Sequence, residues 1–411
     1  MKKNFTTSFL GSILILASGS VIAQGITALS IPVLTRIYLP NDIGIYTYLL
    51  SIAAIFMAVV NARYDVSIVT DSEERNVFPL IKLALLIGII ISIVAFLGCL
   101  AFFLYKRMSW YLAIYIFIVI LSYAIINVLT AYNNRRKEYK IISSVYVIRT
   151  ASQNLGAIGL GLACKSIHGL LFPYILGQYL GIKRQMQPLL KHWRKIAQTP
   201  ISSLKEVAIK HKKQLYFSTP ALLANSLSYS IITIFIEILY GLSEVAFYSI
   251  SVRVLGLPLA IIGGNVSKVF IERASLEYKQ HKQFTHAFRN TFYFLFVLAI
   301  PMVIVLVLWA TPMCRFVFGT EWAVAGDYIM ILAPMFGIRF ITSALSPAFI
   351  IINKQGAELL LQIVFLASGV VSFAIAQIYN LEINDFLKLI SGLFSMAYII
   401  YLFAIYQYSK I

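Results

Sequence analysis

Charged residues are scarce in this chain of 411 residues. They make up only 12% of it, against about 25% in a typical soluble domain, whereas 60% of the residues are hydrophobic and the mean hydropathy is +0.84. Acidic residues are the scarcest group, with 16 Asp and Glu against 34 Lys and Arg. This composition excludes a soluble globular protein and predicts an all-α polytopic membrane protein.

Residues that bind metals or perform covalent chemistry are equally sparse. The three cysteines, Cys99, Cys164 and Cys314, lie far apart within or at the ends of apolar segments, so we expect small buried thiols rather than disulfides. The five histidines are scattered and no His/Cys/Asp/Glu group has metal-ligand spacing. The chain also lacks a G-x-x-x-x-G-K-[ST] phosphate loop. We therefore expect no cofactor, no metal and no enzymatic activity.

Apolar runs of spanning length, separated by charges or turn residues, predict about twelve transmembrane helices. They are expected near 8–33, 43–61, 77–104, 110–132, 141–164, 167–182, 214–240, 243–265, 290–310, 326–352, 356–380 and 384–407. The first has a basic start and a Val21–Ala23 step typical of a cleavable signal peptide. Its apolar run continues to Leu34, long enough to span the bilayer, so we interpret it as a retained helix.

A short motif occurs twice, at an offset close to half the length of the chain. Tyr38-x-x-x-Asp42-x-Gly44-x-Tyr46 corresponds to Tyr240-x-x-x-Glu244-x-Ala246-x-Tyr248. Each copy reads as a polar hairpin between two apolar helices, which indicates two related halves. The sequence thus predicts a six-helix lobe over 1–182, a basic cytoplasmic linker over 183–213 and a second six-helix lobe over 214–411, with a central cavity.

Basic residues test this count, because Lys and Arg concentrate in cytoplasmic connections. With both termini cytoplasmic, 25 of the 34 fall in cytoplasmic connections, six in outer ones and three inside helices. The net charge of +18 then faces anionic membrane lipids and does not indicate nucleic-acid binding.

Two connections have features of their own. In the linker, Ser202–Tyr216 combines apolar positions with lysines and predicts an interfacial helix on the membrane, with a solvated linker as the alternative. The longest outer connection, 311–325, predicts a turn and a brief interfacial helix around Trp322. None of the outer connections is long enough for a catalytic domain.

Three arginines lie inside predicted spans: Arg149, Arg253 and Arg339. A charge at the bilayer centre costs about 2.5–3.5 kcal/mol on insertion scales, so such residues face a cavity or a partner. They could pair with Glu237 or with helix-end carbonyls, in a dry and closely packed seam. Because one inner acid cannot neutralise three arginines, we favour a water-filled vestibule that attracts a phosphate-bearing cargo.

Several segments, in order, resemble the polysaccharide-transporter (Wzx-type, O-antigen flippase) branch of the multidrug/oligosaccharidyl-lipid/polysaccharide exporter superfamily. In the first half these are Thr35-Arg36-Ile37-Tyr38-Leu39-Pro40 with Gly44-x-Tyr46, and Arg63-Tyr64-Asp65-x-x-Ile68. In the second half they are Pro220, Leu239-Tyr240-Gly241, Tyr248-Ser249-Ile250-Ser251-x-Arg253, Pro258 with Phe270, and Phe318-Gly319-x-Glu321-Trp322.

The resemblance implies a MATE-like fold whose central cationic cavity takes an undecaprenyl-diphosphate-linked oligosaccharide from the cytoplasmic leaflet of the bacterial inner membrane. Rocking of the lobes would pass the sugar outward. Arg149, Arg253 and Arg339 would contact the cargo. Arg36, Arg63, Asp65 and Glu237 are candidates for gating or for orienting the lobes. For the first three, which match family motifs at helix ends, the alternatives are interfacial pairs that fix the lobe geometry and contact with the cargo.

Other functions remain open at this stage. A drug or cation exporter of the same fold would need acids rather than arginines in the cavity, and a polymerase or ligase for the same lipid-linked sugar would need a large outer loop. A lipid II flippase would differ only in cargo. A polysaccharide polymerase and chain-length proteins are possible partners, a monomer would suffice, and a proton or sodium gradient could drive transport, although Glu237, Asp65 and Asp327 are weak coupling candidates.

Overall fold

The computed structural model describes residues 2–352 and 354–410, including side chains other than those of 2–17 and 355. Every regular element in these residues is helical. The α-helices are α1 Lys2–Ile37, α2 Pro40–Met57, α3 Tyr64–Thr70, α4 Val77–Tyr105, α5 Tyr111–Arg135, α6 Tyr139–Ala163, α7 His168–Tyr179, α8 Ile182–Leu190, α9 Trp193–Ala197, α10 Ile201–Lys210, α11 Thr219–Tyr240, α12 Leu242–Pro258, α13 Gly264–His281, α14 Thr285–Phe318, α15 Ala323–Leu345, α16 Ala348–Ile351, α17 Gln355–Tyr379 and α18 Ile383–Ser409.

Long apolar helices dominate this list. Within the described residues, nine helical stretches are long and apolar enough to cross a membrane. The other three predicted spans are also helical, but α2, α6 and α7 are shorter or more polar than the nine. Each of the twelve predicted segments therefore corresponds to a helix, and the prediction of an all-α polytopic membrane protein is confirmed.

Outside the predicted linker, which contains α8, α9 and α10, two helices lie where the sequence predicted connections. α3 follows Arg63, and α13 extends the eighth predicted span through a π-helical turn, Leu259–Gly263, as far as His281. That turn directly follows Pro258, whose missing N–H removes one rung of the helical hydrogen-bond ladder. The charged residues of α13 suggested a loop, but Phe270 and Ala274 are buried at helical spacing and hold it against α14.

The chain divides into two compact units, Met1–Ser226 and Leu227–Ile411, with the division inside α11. In the first unit α6 packs along α1 and α7, and α4 packs along α5. In the second unit α15 is central, in contact with α12, α14 and α18. The division predicted from the sequence, with lobes over 1–182 and 214–411 and a linker over 183–213, stays a prediction.

The repeated motif has similar partners in the two units. The hydroxyl of Tyr38 donates to the carbonyl of Ala157 at 2.7 Å, near the end of α6. The hydroxyl of Tyr240 donates to the carbonyl of Leu381 at 2.9 Å, just beyond the end of α17. α6 and α17 correspond to the fifth predicted span of each half. Both tyrosines thus tie the first hairpin of a half to the helix of its fifth predicted span.

The segment after α7 packs on the first unit. α8 contacts α5, while α9 and α10 contact α4. Leu189, Ile196 and Val207 are buried, whereas Trp193 and Ile209 remain more than half exposed. The helix at Ile201–Lys210 agrees with the predicted helix in this connection, and its position on a membrane surface stays a prediction.

A buried carboxylate holds the end of this segment in place. The Asp71 side chain is 1% exposed and accepts hydrogen bonds from the Glu73 amide at 2.8 Å, Asn76 at 2.9 Å, Lys210 at 3.2 Å and His211 at 2.7 Å. Burial raises the pKa of Asp71, but these hydrogen bonds outweigh it and hold that pKa well below its usual range. Asp71 is therefore an ionised anchor between the loop after α3 and the end of α10.

One smaller expectation was wrong. Cys99 and Cys314 are buried as predicted, but Cys164 is exposed because α6 ends just before it.

The brief helix predicted around Trp322 is present as a single turn of 3₁₀ helix, Thr320–Trp322. The Trp322 residue is 1% exposed and packs edge-on against Phe247, with ring centroids 5.5 Å apart, so it anchors the second unit internally. The position of this turn at a membrane surface stays a prediction.

Close packing around Tyr38 generates a stability prediction. A Cβ on Gly161 would lie 2.6 Å from the Tyr38 hydroxyl oxygen, whereas a Cβ on Gly159 would meet nothing within 4 Å. We expect Gly161→Ala to destabilise the protein by about 1–3 kcal/mol through overpacking, and Gly159→Ala to have no such effect. Thermal unfolding of both variants in detergent measures the difference, and equal melting temperatures would contradict the packing described here.

The Asp71 anchor generates a second prediction. Asp71→Asn removes the charge that Lys210 and His211 contact, so we expect a loss of about 1.5–3 kcal/mol. Because the pKa is lowered on folding, this contribution is fully present above the ordinary carboxyl value of 3.8 and declines as the pH falls below it. Thermal unfolding at neutral and strongly acidic pH measures it.

The matched control is Asp385→Asn, which breaks an exposed pair with Lys388. Exposed pairs contribute little, so this control should unfold like the unaltered protein. A D71N variant as stable as the control at neutral pH would show that Asp71 does not anchor α10.

Candidate functional site

Arg339 lies on α15, inside a stretch that is long and apolar enough to span a membrane, Thr320–Ile351. Its guanidinium carbon lies 4.3 Å from the ring centroid of Tyr229 and 5.1 Å from that of Phe336. Both distances fall within the range of cation–π attraction. The two rings therefore stabilise a positive charge in an apolar setting without cancelling it.

A cavity of about 460 Å³ opens beside this arginine, within the second unit. Its other lining residues come from α12, α13, α15 and the π-helical turn between α12 and α13, and most of them are small or apolar. They are Val252, Gly256, Leu259, Ala260, Gly263, Gly264, Ser267, Phe336 and Ser343. The glycines and the π turn leave room for a ligand beside the charge.

Three tyrosines complete the surroundings of Arg339. Tyr229, Tyr248 and Tyr398 all lie close enough to interact with its charge. The hydroxyls of Tyr229 and Tyr398 are 3.0 Å apart and share a hydrogen bond. Among the ion pairs of the described residues, none involves Arg339, Arg253 or Arg149. The charge of Arg339 therefore remains available to an anion that enters the cavity.

Arg149 lies on α6 of the first unit and is solvated by amides. The residue is 9% exposed, and its terminal nitrogen donates to the Gln185 side-chain oxygen at 2.7 Å. The Gln185 amide in turn donates to Thr130 at 3.4 Å. The Nε of Arg149 is buried and has no hydrogen-bond partner among the described residues. This second cation also retains donor capacity for a further acceptor.

Arg253 is on α12 and is partly exposed. Its sequence neighbours Val252 and Gly256 line the cavity beside Arg339, but Arg253 itself does not. The second unit thus contains both Arg253 and Arg339, whereas Arg149 belongs to the first unit. The prediction that all three contact one cargo stays a prediction.

The four candidates for gating lie at or near helix ends. Arg36 is exposed in the last turn of α1. Arg63 has a left-handed backbone, with φ of 62°, directly before α3, and its charge interacts with Asp65. Glu237, on α11, has one buried carboxylate oxygen without a hydrogen-bond partner among the described residues. Their gating roles stay predictions.

One acidic residue of the second unit was not singled out by the sequence. Glu358 lies in the first turn of α17 and interacts with Tyr401 on α18. An acid beside Lys354 at a helix start reads as an ordinary interfacial residue. The sequence did contain a signal for a polar helix face here, because Glu358 and Gln362 lie one helical turn apart on the same side of α17.

The described residues contain no group of three or more His, Cys, Asp or Glu side chains that could hold a metal ion. Within the second unit, the candidate site is Arg339 with its aromatic and tyrosine neighbours beside the cavity. A guanidinium in such a setting can attract, orient and release an anion.

Solved structures similar to this chain are transporters and flippases of one superfamily. A structure of the lipid II flippase MurJ, in an inward closed conformation, aligns with a TM-score of 0.70 at 12% identity, over 96% of this chain and 86% of that one. An inward-facing multidrug resistance MATE transporter of the MOP superfamily aligns with a TM-score of 0.63 at 12% identity, over 96% of this chain and 93% of that one.

A MOP superfamily transporter from Pyrococcus furiosus aligns with a TM-score of 0.57 at 13% identity, over 97% of this chain and 96% of that one. At these identities the likeness establishes the fold alone, and the fold is that of the MOP superfamily. A search of curated proteins finds no significant match. The profile of the family described as polysaccharide biosynthesis protein matches residues 33–327, which is most of the chain. The chain therefore belongs to the polysaccharide biosynthesis protein family.

Proposed function

We propose that this protein is a flippase that moves undecaprenyl-diphosphate-linked oligosaccharide repeat units, of the O-antigen type, across the bacterial inner membrane. The observation that carries the proposal is Arg339, a membrane-embedded guanidinium that lines a cavity and takes part in no ion pair among the described residues. A charge costs too much in a membrane to be kept without a partner. The partner proposed here is the diphosphate of the cargo.

The geometry of Arg339 suits a phosphate group. The guanidinium carbon of Arg339 lies over the Tyr229 ring, 4.3 Å from its centroid, and this cation–π contact does not neutralise the charge. A guanidinium group binds phosphate oxygens in pairs through its N–H donors. At about 4 Å and an effective dielectric of about 20, one such contact is worth about 4 kcal/mol. A cationic drug would be repelled by the same charge.

The rest of the cavity offers a few polar groups and space. Ser267 and Ser343 supply hydroxyls that can meet a sugar, and Gly256, Gly263 and Gly264 allow close approach of a ligand. In this proposal the polyprenyl tail stays in the bilayer while the head group enters the protein.

The comparisons are consistent with this cargo class. The matched family is described by polysaccharide biosynthesis, and one structural neighbour is described as a lipid II flippase. The neighbour from Pyrococcus furiosus is described as having a binding pocket of reversed polarity, with a different function suggested for it. Within this fold, the polarity of the pocket therefore bears on the choice of cargo.

The remaining elements of the proposal follow from the sequence. Two related halves suit alternating access, with cytoplasmic termini set by the distribution of Lys and Arg. Arg149 and Arg253 would assist Arg339 along the path, and Arg36, Arg63, Asp65 and Glu237 would orient or gate the halves. Anionic lipids would surround the basic connections, and a polysaccharide polymerase and chain-length proteins would take the delivered units.

Arginine substitutions test the proposal in cells that depend on this gene for surface polysaccharide. We expect Arg339→Ala to reduce surface polysaccharide by more than about tenfold, since each 1.4 kcal/mol of lost binding is a factor of ten. Lipid-linked single repeat units should accumulate facing the cytoplasm. Arg339→Lys should restore part of the activity, because it keeps the charge but loses the planar donors.

The matched control is Arg315→Ala, which removes an exposed arginine at the end of α14. It should leave surface polysaccharide unchanged. Normal polysaccharide in an R149A/R339A double variant would overturn the mechanism. Unpolymerised units at the outer surface would indicate a polymerase or ligase instead, and loss of cationic-drug resistance alone would indicate a drug exporter.

A further inference from the structure

A second cavity of about 460 Å³ lies within the first unit, between α4, α5 and the two short helices α8 and α9. Nine of its ten lining residues are aliphatic residues or methionine, and the tenth is Trp193. A bound water needs two to four polar partners, and the lining of this cavity offers one indole N–H at most. The space is therefore suited to a hydrocarbon ligand and not to water.

The cavity is continuous with an exposed apolar surface of α4. Ile89 lines the cavity and is 44% exposed, and Ile90, Ile93 and Val94 are exposed further along the same helix. α4 belongs to a stretch that is long and apolar enough to span a membrane, Glu74–Tyr105. Acyl chains cover such a surface in a bilayer, so a chain beside α4 can enter the cavity without passing through water.

The short helices α8 and α9 are fixed over one end of the cavity. The Lys82 ammonium group on α4 donates to the carbonyls of Ala197 at 2.9 Å and Thr199 at 2.7 Å, directly after α9. The rings of Phe78 and His192 lie 5.5 Å apart. Lys82 and Phe78 belong to the first two turns of α4. The closed end of the cavity therefore lies near the start of this helix, where the apolar span meets the basic segment.

The charge around this end is of one sign. α8, α9 and the residues between them contain five exposed basic residues: Lys183, Arg184, Lys191, Arg194 and Lys195. Among the described residues, none of the five takes part in an ion pair. The sequence between Glu138 and Glu206 contains no acidic residue. A hydrocarbon slot thus lies beside uncompensated positive charge.

Two positions connect the charge to the cavity. Lys183 lies one helical turn before Met186, which lines the cavity from α8. Lys191 and Arg194 flank Trp193, which lines the cavity from α9 and is itself 52% exposed. Tryptophan is enriched where a membrane meets water, because its ring is apolar and its N–H is polar. Trp193 therefore marks the level at which a lipid chain would join its head group.

We propose that this cavity is a binding site for an anionic phospholipid. One acyl chain fills the cavity between α4 and α5, and the phosphate of the head group lies against the basic residues of α8 and α9. A zwitterionic phospholipid has the same chains but a neutral head group. Each basic residue near an anionic head group contributes roughly a fivefold preference, so this segment selects the anionic lipid.

The bound lipid connects the basic segment to the transmembrane helices of the first unit. Its chain contacts α4 and α5 while its phosphate contacts α8 and α9, so binding stabilises the packed arrangement of all four. The site does not depend on the function proposed above, because Arg339 and its cavity belong to the second unit.

Trp193 makes the site measurable, since bromine atoms on an acyl chain quench tryptophan fluorescence at close range. The full-length protein is placed in phosphatidylcholine nanodiscs that contain increasing fractions of brominated phosphatidylglycerol or brominated phosphatidylcholine. Trp110, Trp309 and Trp322 also fluoresce, so every titration is repeated with Trp193→Phe and the difference is taken. We expect half-maximal quenching of Trp193 at a roughly fivefold or more lower fraction of the anionic lipid.

Two variants with equal changes in net charge test the head-group contact. Lys191→Gln with Arg194→Gln removes exposed charges beside Trp193 and should bring the two half-quenching fractions close together. Lys106→Gln with Arg107→Gln removes exposed charges just beyond the other end of α4 and should leave the preference unchanged. The same loss of preference in both variants would refute a local contact with α8 and α9.

A third variant tests the chain contact. Leu85 and Ile125 line the cavity from α4 and α5 and are partly buried. Leu85→Phe with Ile125→Phe narrows the space and should reduce the quenching of Trp193 by both lipids, while an unchanged melting temperature confirms folding. Undiminished quenching in this variant would show that the chain lies outside the cavity.

Competition identifies the occupant in the unaltered protein. Unlabelled phosphatidylglycerol should displace its brominated form, whereas inorganic phosphate should not. Equal quenching by the two brominated lipids would overturn the anionic site. Displacement by a polyprenyl phosphate at fractions where phosphatidylglycerol is ineffective would also overturn it, because the cavity would then hold a polyprenyl chain.

Discussion

The cost of a guanidinium inside a membrane governs much of the second unit. A charge at this depth costs about 2.5–3.5 kcal/mol even on the mildest scales, and a carboxylate would offset that cost by neutralising it. Instead, Arg339 lies on the faces of Tyr229 and Phe336 and beside a cavity lined by glycines. These contacts stabilise the charge and leave it unneutralised, which suits a site that must bind an anion and release it.

The first unit solves the same problem with amides. Arg149 donates to Gln185, and Gln185 is held by Thr130, so neutral dipoles replace hydration. The second unit instead surrounds its arginine with aromatic rings and tyrosine hydroxyls. The two units therefore share the Tyr38 and Tyr240 framework but differ in the chemistry of their interiors.

The positions of most helices and the arginines inside them were predictable from the sequence. The residues from other helices that pack around those arginines were not. A long apolar run is a local signal, so α4 and α5 begin and end within about three residues of expectation. Arg339 stood out because a charge interrupts such a run. Its partners Tyr229 and Tyr398 come from α11 and α18, distant in sequence, and tyrosine is common in membrane proteins. α13 was missed because its charges outweighed the spacing of Phe270 and Ala274.

Proline and glycine link the fold to the site. Pro258 removes a hydrogen-bond donor from the helix, and the backbone widens into the π turn Leu259–Gly263 that lines the Arg339 cavity. The same pairing of proline and π turn occurs at Gln214–Ser218, just before Pro220. That turn follows α10, which Asp71 holds to the first unit. A chain anchored firmly on one side of an irregular turn concentrates bending at the turn, so Gln214–Ser218 is the point between α10 and α11 at which bending is easiest.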